Sequence, residues 1–296
     1  MGRTTPFGGN SMQHGTAVFE GIRCYRGNGG PAIFRLEDHL RRLLGSAELI
    51  GIPVTWDLAE LSTRVREAAA GSGMADCYLR PVIFAPEAKL GLDLRRLAFE
   101  FAVEIWPVEA DPVARPVAVT VSPWRRQAAN SYPVGAKSTG AYVVSAVART
   151  AAAAAGFDDA IQLDPDSGRV AEATVANVFL VRDGMLSTPW TRDSLLPGIT
   201  RDTVLTLATE LGIAADVRPI EVGELDDSDE IFLTGTATEL VAVSALDRRE
   251  LKPDRPVFQA LVEEFRRTVQ GRHEGHLHWM TAIAPPPSAA DHQEDS

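Results

Sequence analysis

Three prolines fall within the eleven residues Trp106-Pro107-Val108-Glu109-Ala110-Asp111-Pro112-Val113-Ala114-Arg115-Pro116, a stretch with no helical or strand periodicity. Proline fixes its own backbone and donates no amide hydrogen, so neither a helix nor a central strand runs easily through such a segment. The chain is therefore expected to divide here. Residues 1–106 would form a smaller N-terminal domain, 107–116 a connection, 117–284 a larger C-terminal domain, and the polar, proline-containing 285–296 a disordered tail. With 296 residues, 45% of them hydrophobic, there is enough chain for two cores.

Within the first unit, residues 14–25 read as extended chain entering a turn at 26–30, with a second strand at 31–35. Residues 36–50 carry Leu36, Leu40, Leu43, Leu44, Ala47 and Ile50 at three- and four-residue spacings, which predicts an amphipathic helix ended by Gly51 and Pro53. A second helix is expected at 58–70, and strands at 77–84 and 97–103. In the second unit, strands are expected at 117–121, 160–163, 177–182, 230–233 and 240–243, and helices at 140–155, 200–211 and 257–269. Strands mixed with a few helices in this order indicate an α+β fold.

A net charge of −11 excludes a surface built to bind nucleic acid, which needs basic stripes. No apolar run approaches the roughly 20 residues that span a bilayer, and the first residues lack the apolar core of a signal peptide. A cytoplasmic protein with no membrane partner is expected. Cys24 and Cys77 lie in strand-like segments without metal-ligand spacing and read as buried thiols. No metal site is assigned.

The chain has three lysines, and two of them, Lys89 and Lys252, sit beside Glu87 and Asp254. The third, Lys137, lies in Pro133-Val134-Gly135-Ala136-Lys137-Ser138-Thr139-Gly140-Ala141-Tyr142, with no charged residue between Arg126 and Arg149. That setting suggests a buried amine, and a desolvated lysine loses its proton readily and can attack a carbonyl. The ordinary alternative is a loop lysine snorkelling to solvent. Leu195-Leu196-Pro197-Gly198-Ile199-Thr200-Arg201-Asp202 sets a tight loop at a helix start, where free amides and the dipole can hold a phosphate, or where the residues simply cap the helix. Thr234-Gly235-Thr236-Ala237-Thr238-Glu239 offers hydroxyls and amides to an anion after a short strand. Glu172, just past the turn at 164–168, reads as either a functional or a solvated carboxylate.

Taken together and in order, these segments, with His14 to Tyr25, the helix at 37–50, Tyr78-Leu79-Arg80-Pro81, Ser122-Pro123-Trp124-Arg125-Arg126 and Asn177-Val178-Phe179, resemble the fold-type IV aminotransferases that use pyridoxal 5′-phosphate. The resemblance is to their branched-chain amino-acid type and covers roughly residues 14–283. It implies a two-domain α+β fold, with a smaller N-terminal α/β domain and a larger C-terminal domain built on a β-barrel-like core. It further implies that Lys137 carries the cofactor as a Schiff base and shuttles a proton, that Tyr142 bonds the cofactor's phenolic oxygen, and that Glu172 pairs with its ring nitrogen. Arg42, the amides of Ile199 and Thr200, and the Thr236 hydroxyl would hold the phosphate. The Thr236 and Ala237 amides would receive the substrate carboxylate, with Phe19, Tyr78 and Arg80 near the substrate side chain. The substrates implied are a hydrophobic L-amino acid and a 2-oxo acid such as 2-oxoglutarate, handled by a homodimer or higher homo-oligomer.

The sequence departs from the family pattern in four places. The family's first strand, with an aromatic residue and Asn-Gly, has no counterpart. Ser138-Thr139-Gly140-Ala141 replaces Ala-Gly-Gly-Asn, and Ala173-Thr174-Val175-Ala176 replaces a glycine-rich run, so side chains are expected to crowd the cofactor's face. The connection after Trp106 is short and lacks the tyrosine that usually lines the pocket. The rival readings are a relative acting on a D-amino acid, an (R)-amine or an unusual amino acid, a lyase releasing an aromatic amine, and an inactive scaffold subunit. Pro197 before Gly198 and the Tyr78-Leu79-Arg80-Pro81 segment favour the branched-chain type.

Overall fold

The computed structural model describes residues 7–108 and 115–283, so the expected tail at 285–296 and most of the expected connection lie outside the described residues. A short helix α1 (Asn10–His14) is followed by β1 (Val18–Phe19), β2 (Ile22–Gly27), β3 (Gly30–Phe34), α2 (Leu36–Ile50), α3 (Leu58–Ser72), β4 (Cys77–Phe84) and β5 (Glu100–Pro107). Then come β6 (Val117–Val121), α4 (Tyr142–Ala154), β7 (Asp159–Leu163), β8 (Val170–Ala173), β9 (Asn177–Arg182), β10 (Met185–Pro189) and α5 (Ile199–Glu210). The chain closes with β11 (Ala215–Arg218), β12 (Glu230–Gly235), β13 (Glu239–Leu246), β14 (Arg249–Glu250), α6 (Pro256–Val269) and β15 (Met280–Ala282).

The strands make two sheets. In the first, β4 pairs with β5 along one edge and with β1 and β2 along the other, and β2 leads on to β3 and β15. Helices α2 and α3 cover one face, burying Leu36, Leu40, Leu43, Leu61 and Val65 against Cys24, Cys77, Leu79 and Ile83. Strand β4 alternates strictly between buried and half-buried positions. Side chains two apart on a strand share a face, so Cys77, Leu79 and Ile83 enter this core while Tyr78 and Arg80 stand together on the opposite face. Cys24 and Cys77 are free, fully buried and in register with each other.

The second sheet runs β11-β10-β9-β12-β13-β6-β7-β8. It curls so that β8 packs back against β9 and β10, and its inner side holds Val119, Ile161, Val178, Leu180, Ile231 and Val243. This curled half-barrel is the core expected of the C-terminal part. Strand β15, late in the chain, returns to the first sheet beside β3.

Several elements differ from expectation. The stretch from residue 14 is not extended from its start, because His14 closes α1 and a break separates β1 from β2. The strand expected at 97–103 lies at Glu100–Pro107 and includes Trp106. Strand β5 pairs only with β4, so at this sheet edge Pro107 gives up no ladder bond. Strands β8, β10, β11 and β15 carried no expectation. The first two are almost wholly buried, which removes the alternation by which a strand is recognised.

Candidate active site

The Lys137 segment is stitched to the first sheet as if it were another strand. Phe19 donates its amide to the Lys137 carbonyl at 3.0 Å, Thr139 donates to Ala17 at 2.9 Å, and Gly140 donates to Gly15 at 3.0 Å. The Lys137 amide in turn donates to the Ser46 hydroxyl of α2 at 3.0 Å. A Cβ at Gly140 would come within 3.1 Å of the Gly15 carbonyl oxygen, so this close approach favours glycine. Five residues on, Tyr142 opens α4, and the Lys137 Nζ donates to its hydroxyl at 2.8 Å. The Phe19 ring centroid lies 5.3 Å from the same Nζ. Lys137 is half-buried and opens onto a pocket, so the amine is less enclosed than its uncharged segment suggested.

Arg42, Lys137, Tyr142, Glu172, Ile199, Thr200 and Thr236 all line that pocket. Seven predicted site residues, scattered from residue 42 to residue 236, therefore meet in one place. Phe19, Tyr78 and Arg80 do not line it but form a group beside Lys137. The Arg80 guanidinium lies 4.5 Å from the Phe19 ring centroid and 5.7 Å from that of Trp106, and its Nε is buried with no hydrogen-bond partner. A Cβ on Gly21 would collide with the Tyr78 hydroxyl, so glycine there makes room for the phenol. Ala237 lines an adjoining cavity that shares Ala176 with the pocket.

At one wall, α5 begins at Ile199 with no side chain capping its first turn, leaving amides and the positive end of the helix dipole for an anion. The hydroxyl of Thr234, another lining residue, is buried without a hydrogen-bond partner. Arg42 is held more tightly than its predicted role suggests. Its Nε and Nη2 donate to Glu20 at 2.6 and 2.8 Å, and its Nη1 donates to the Pro197 carbonyl at 2.8 Å. It thereby pins the loop that leads into α5. Glu20 also bonds His39 Nδ1 at 2.8 Å. Burial alone would raise the Glu20 pKa, but the charge and hydrogen bonds of Arg42, aided by His39, hold it far below the usual carboxylate range.

Glu172 sits on β8, 6% exposed. Arg126 Nη2 is 3.0 Å from its Oε1, while the Leu196 amide at 3.2 Å and Asn177 Nδ2 at 3.3 Å donate to its Oε2. Burial pushes this carboxyl above its ordinary pKa, and Arg126 only partly offsets the effect. Asn177 also donates to the Leu196 carbonyl at 2.9 Å, and a Cβ on Gly198 would lie 1.9 Å from its Oδ1. Glycine before α5 is thus required by the asparagine that supports Glu172. Glu20, Arg126 and Asn177 were given no role from the sequence, because their partners are brought to them only by packing.

The two altered segments lie differently with respect to the pocket, which Ala141 alone of residues 138–141 lines. The Thr139 hydroxyl donates to Ala17, the Ser138 hydroxyl bonds Tyr132, and neither residue lines the pocket. Thr174, Val175 and Ala176 do line it, with the Thr174 hydroxyl donating to Asp159. The lining thus offers anion donors around the start of α5, an amine paired with a phenol, and a buried acid.

A family model for class IV amino-transferases matches residues 17–246. The branched-chain-amino-acid aminotransferase of Escherichia coli K12 is 32% identical over 284 residues, covering 93% of this chain and 91% of the relative. Among solved structures, the branched-chain aminotransferase of the archaeon Thermoproteus uzoniensis with norvaline superposes with a TM-score of 0.91 at 38% identity, covering 95% of this chain and 94% of the other. The branched-chain amino acid aminotransferase of Thermobaculum terrenum in its PLP-form gives a TM-score of 0.89 at 32% identity, covering 96% of this chain and 94% of the other.

Proposed function

Because the chain belongs to the class IV aminotransferases, we propose that it moves the amino group of a branched-chain L-amino acid to a 2-oxo acid such as 2-oxoglutarate, using pyridoxal 5′-phosphate. The observation that carries this reading is the Lys137 Nζ held 2.8 Å from the Tyr142 hydroxyl in a pocket shared with a buried acid and an uncapped helix start. The residues fit the cofactor: the α5 amides with Thr200, Thr234 and Thr236 suit its phosphate, and Glu172 suits its ring nitrogen. When bound, that group supplies an aldehyde carbon for an amine and a protonated ring that draws off electrons.

The work of the chain's own residues follows from their chemistry. Lys137 binds covalently at rest, and its Nζ then carries the proton removed from the substrate Cα. Tyr142 orients that nitrogen through its hydroxyl. Burial penalises the Glu172 carboxylate more than Arg126 compensates, so a ring N–H beside it relieves the carboxylate and keeps the proton on the ring. Arg42 adds positive charge to the anion cradle and fixes its loop. The Thr236 and Ala237 amides receive the substrate carboxylate, and Phe19, Tyr78 and Arg80 face its side chain. The enzyme acts in the cytoplasm as a homodimer. Among the described residues no helix is long and apolar enough to cross a membrane.

The test is transamination by cofactor-loaded protein, with both enantiomers of leucine, isoleucine and valine as donors and 2-oxoglutarate as acceptor. L-Leucine, L-isoleucine and L-valine should react and yield L-glutamate. Reaction only with D-amino acids or (R)-amines, or a protein that stays colourless with added cofactor, would overturn the reading.

A further inference from the structure

Away from the pocket, three of the molecule's six histidines, His273, His276 and His278, fall within six residues near the end of the described chain. Two of them converge with acids from two helices. His276 Nε2 lies 3.0 Å from the carboxylate of Glu210, the last residue of α5. His273 Nε2 lies 3.3 Å from Glu210 Oε2 and 3.3 Å from Oε1 of Glu264 on α6. One ligand atom each from Glu210, His273 and His276 fall within 4.8 Å of one another, the only such group among the described residues.

We propose that Glu210, His273 and His276 form a site for a divalent transition metal, with zinc as its representative, and that Glu264, 3.3 Å from His273, stands beside it. Zinc bound to nitrogen and oxygen at 2.0–2.1 Å in a tetrahedron keeps its ligands about 3.3–3.4 Å apart; the three histidine–carboxylate separations are 3.0–3.3 Å, and the ligand atoms of Glu210, His273 and His276, all within 4.8 Å of one another, would need only a small inward shift. Two imidazoles with carboxylates suit zinc or its neighbours, whereas magnesium and calcium favour all-oxygen sets. Both histidines present Nε2 to the acids, and neither Nδ1 has a hydrogen-bond partner. The ring centroids are 4.4 Å apart, so the two rings stand close enough to share one ion.

The parts are also held in position. His276 stacks on Trp279 with 3.7 Å between centroids, and Arg267 donates to Glu264 Oε2 at 2.9 Å. Trp279 in turn lies under Arg35, which donates to Asp202 in the first turn of α5. The metal would clasp the segment leading to β15 onto α5 and α6. Its effect is therefore on stability and not on the chemistry at Lys137.

The experiment uses full-length, cofactor-loaded, untagged protein stripped of metal, titrated with Zn²⁺ against a chromophoric chelator. One equivalent should bind per chain, the thermal midpoint should rise and return with EDTA, and Mg²⁺ should not substitute. Co²⁺ should show the intense visible d–d bands of a four-coordinate site. His273→Gln and Glu210→Gln should each weaken zinc by more than the roughly 10–100-fold typical of losing a supporting partner, with His278→Gln unchanged. Absence of stoichiometric binding, or binding that survives both variants or is lost with His278→Gln, overturns the proposal. If the variants do not fold, the wild-type cobalt spectrum decides, and weak six-coordinate bands count against the site.

Discussion

Glu20 and Glu172 are the same residue type, both deeply buried and both beside an arginine, yet their acidities move in opposite directions. Glu20 receives Arg42 through two short bonds and His39 through a third, and these outweigh its burial. Glu172 has one arginine contact at 3.0 Å and two long amide contacts, and burial wins. The difference separates a carboxylate that completes the scaffold from one left short of partners. A group of the second kind favours whatever cation enters the pocket, at a cost in stability before that cation arrives.

Replacing each acid by its uncharged isostere should separate the two roles. Glu20→Gln leaves the buried Arg42 without its counter-charge and should cost about 3–5 kcal/mol, read as a fall in the urea midpoint. A loss no larger than that of a surface substitution would end the contrast. Glu172→Gln should reduce turnover about 10²–10³-fold, the usual cost of one preorganised electrostatic partner, while cofactor affinity changes much less. Near-normal turnover would assign the ring nitrogen to another acid.

Arg80 extends the comparison to the arginines. Arg42 and Arg126 each have a carboxylate partner in the protein, whereas Arg80 is packed between Phe19 and Trp106 with its Nε unpartnered. If it awaits the distal carboxylate of glutamate, Arg80→Met should weaken glutamate and 2-oxoglutarate by about 1.5–3 kcal/mol, roughly ten- to a hundredfold, and leucine far less. Separate half-reaction rates measure this, and an equal loss for both substrates would make the residue structural.

The smallest effect is in pH dependence. Glu20, with a depressed folded pKa, contributes stability that is complete above its unfolded value near 4.3 and is lost as pH falls through the folded value. Glu172, with a raised one, contributes stability below about pH 4.3 that is lost as pH rises through its folded value. Unfolding free energies followed into acid should therefore fall less steeply in Glu20→Gln than in wild type, by up to about 1.4 kcal/mol per pH unit. Just above pH 4.3 the Glu172→Gln curve should diverge from wild type with the opposite sign. Parallel curves would mean that the two acids do not differ in this way.

What the sequence made legible follows the same division. Lys137 stood out because lysine is scarce here and the segment around it is uncharged, and the start of α5 was visible in Pro197-Gly198. Glu20 gave no signal as an anchor, since its partners Arg42 and His39 lie on a helix and are joined to it only by packing. Arg126 and Asn177 acquire meaning only when β8, β9 and the loop at 195–198 meet. Helix α2 and strands β4, β6 and β9 were readable from period and composition, whereas β8 and β10 were hidden by burial on both faces.

The account turns on Lys137 being the residue that binds the cofactor. Borohydride reduction of the cofactor-loaded protein, followed by peptide mapping, tests this directly. The label should appear on the peptide containing Lys137 and should be lost, together with all transamination, in Lys137→Ala. Label on Lys89 or Lys252 would contradict it.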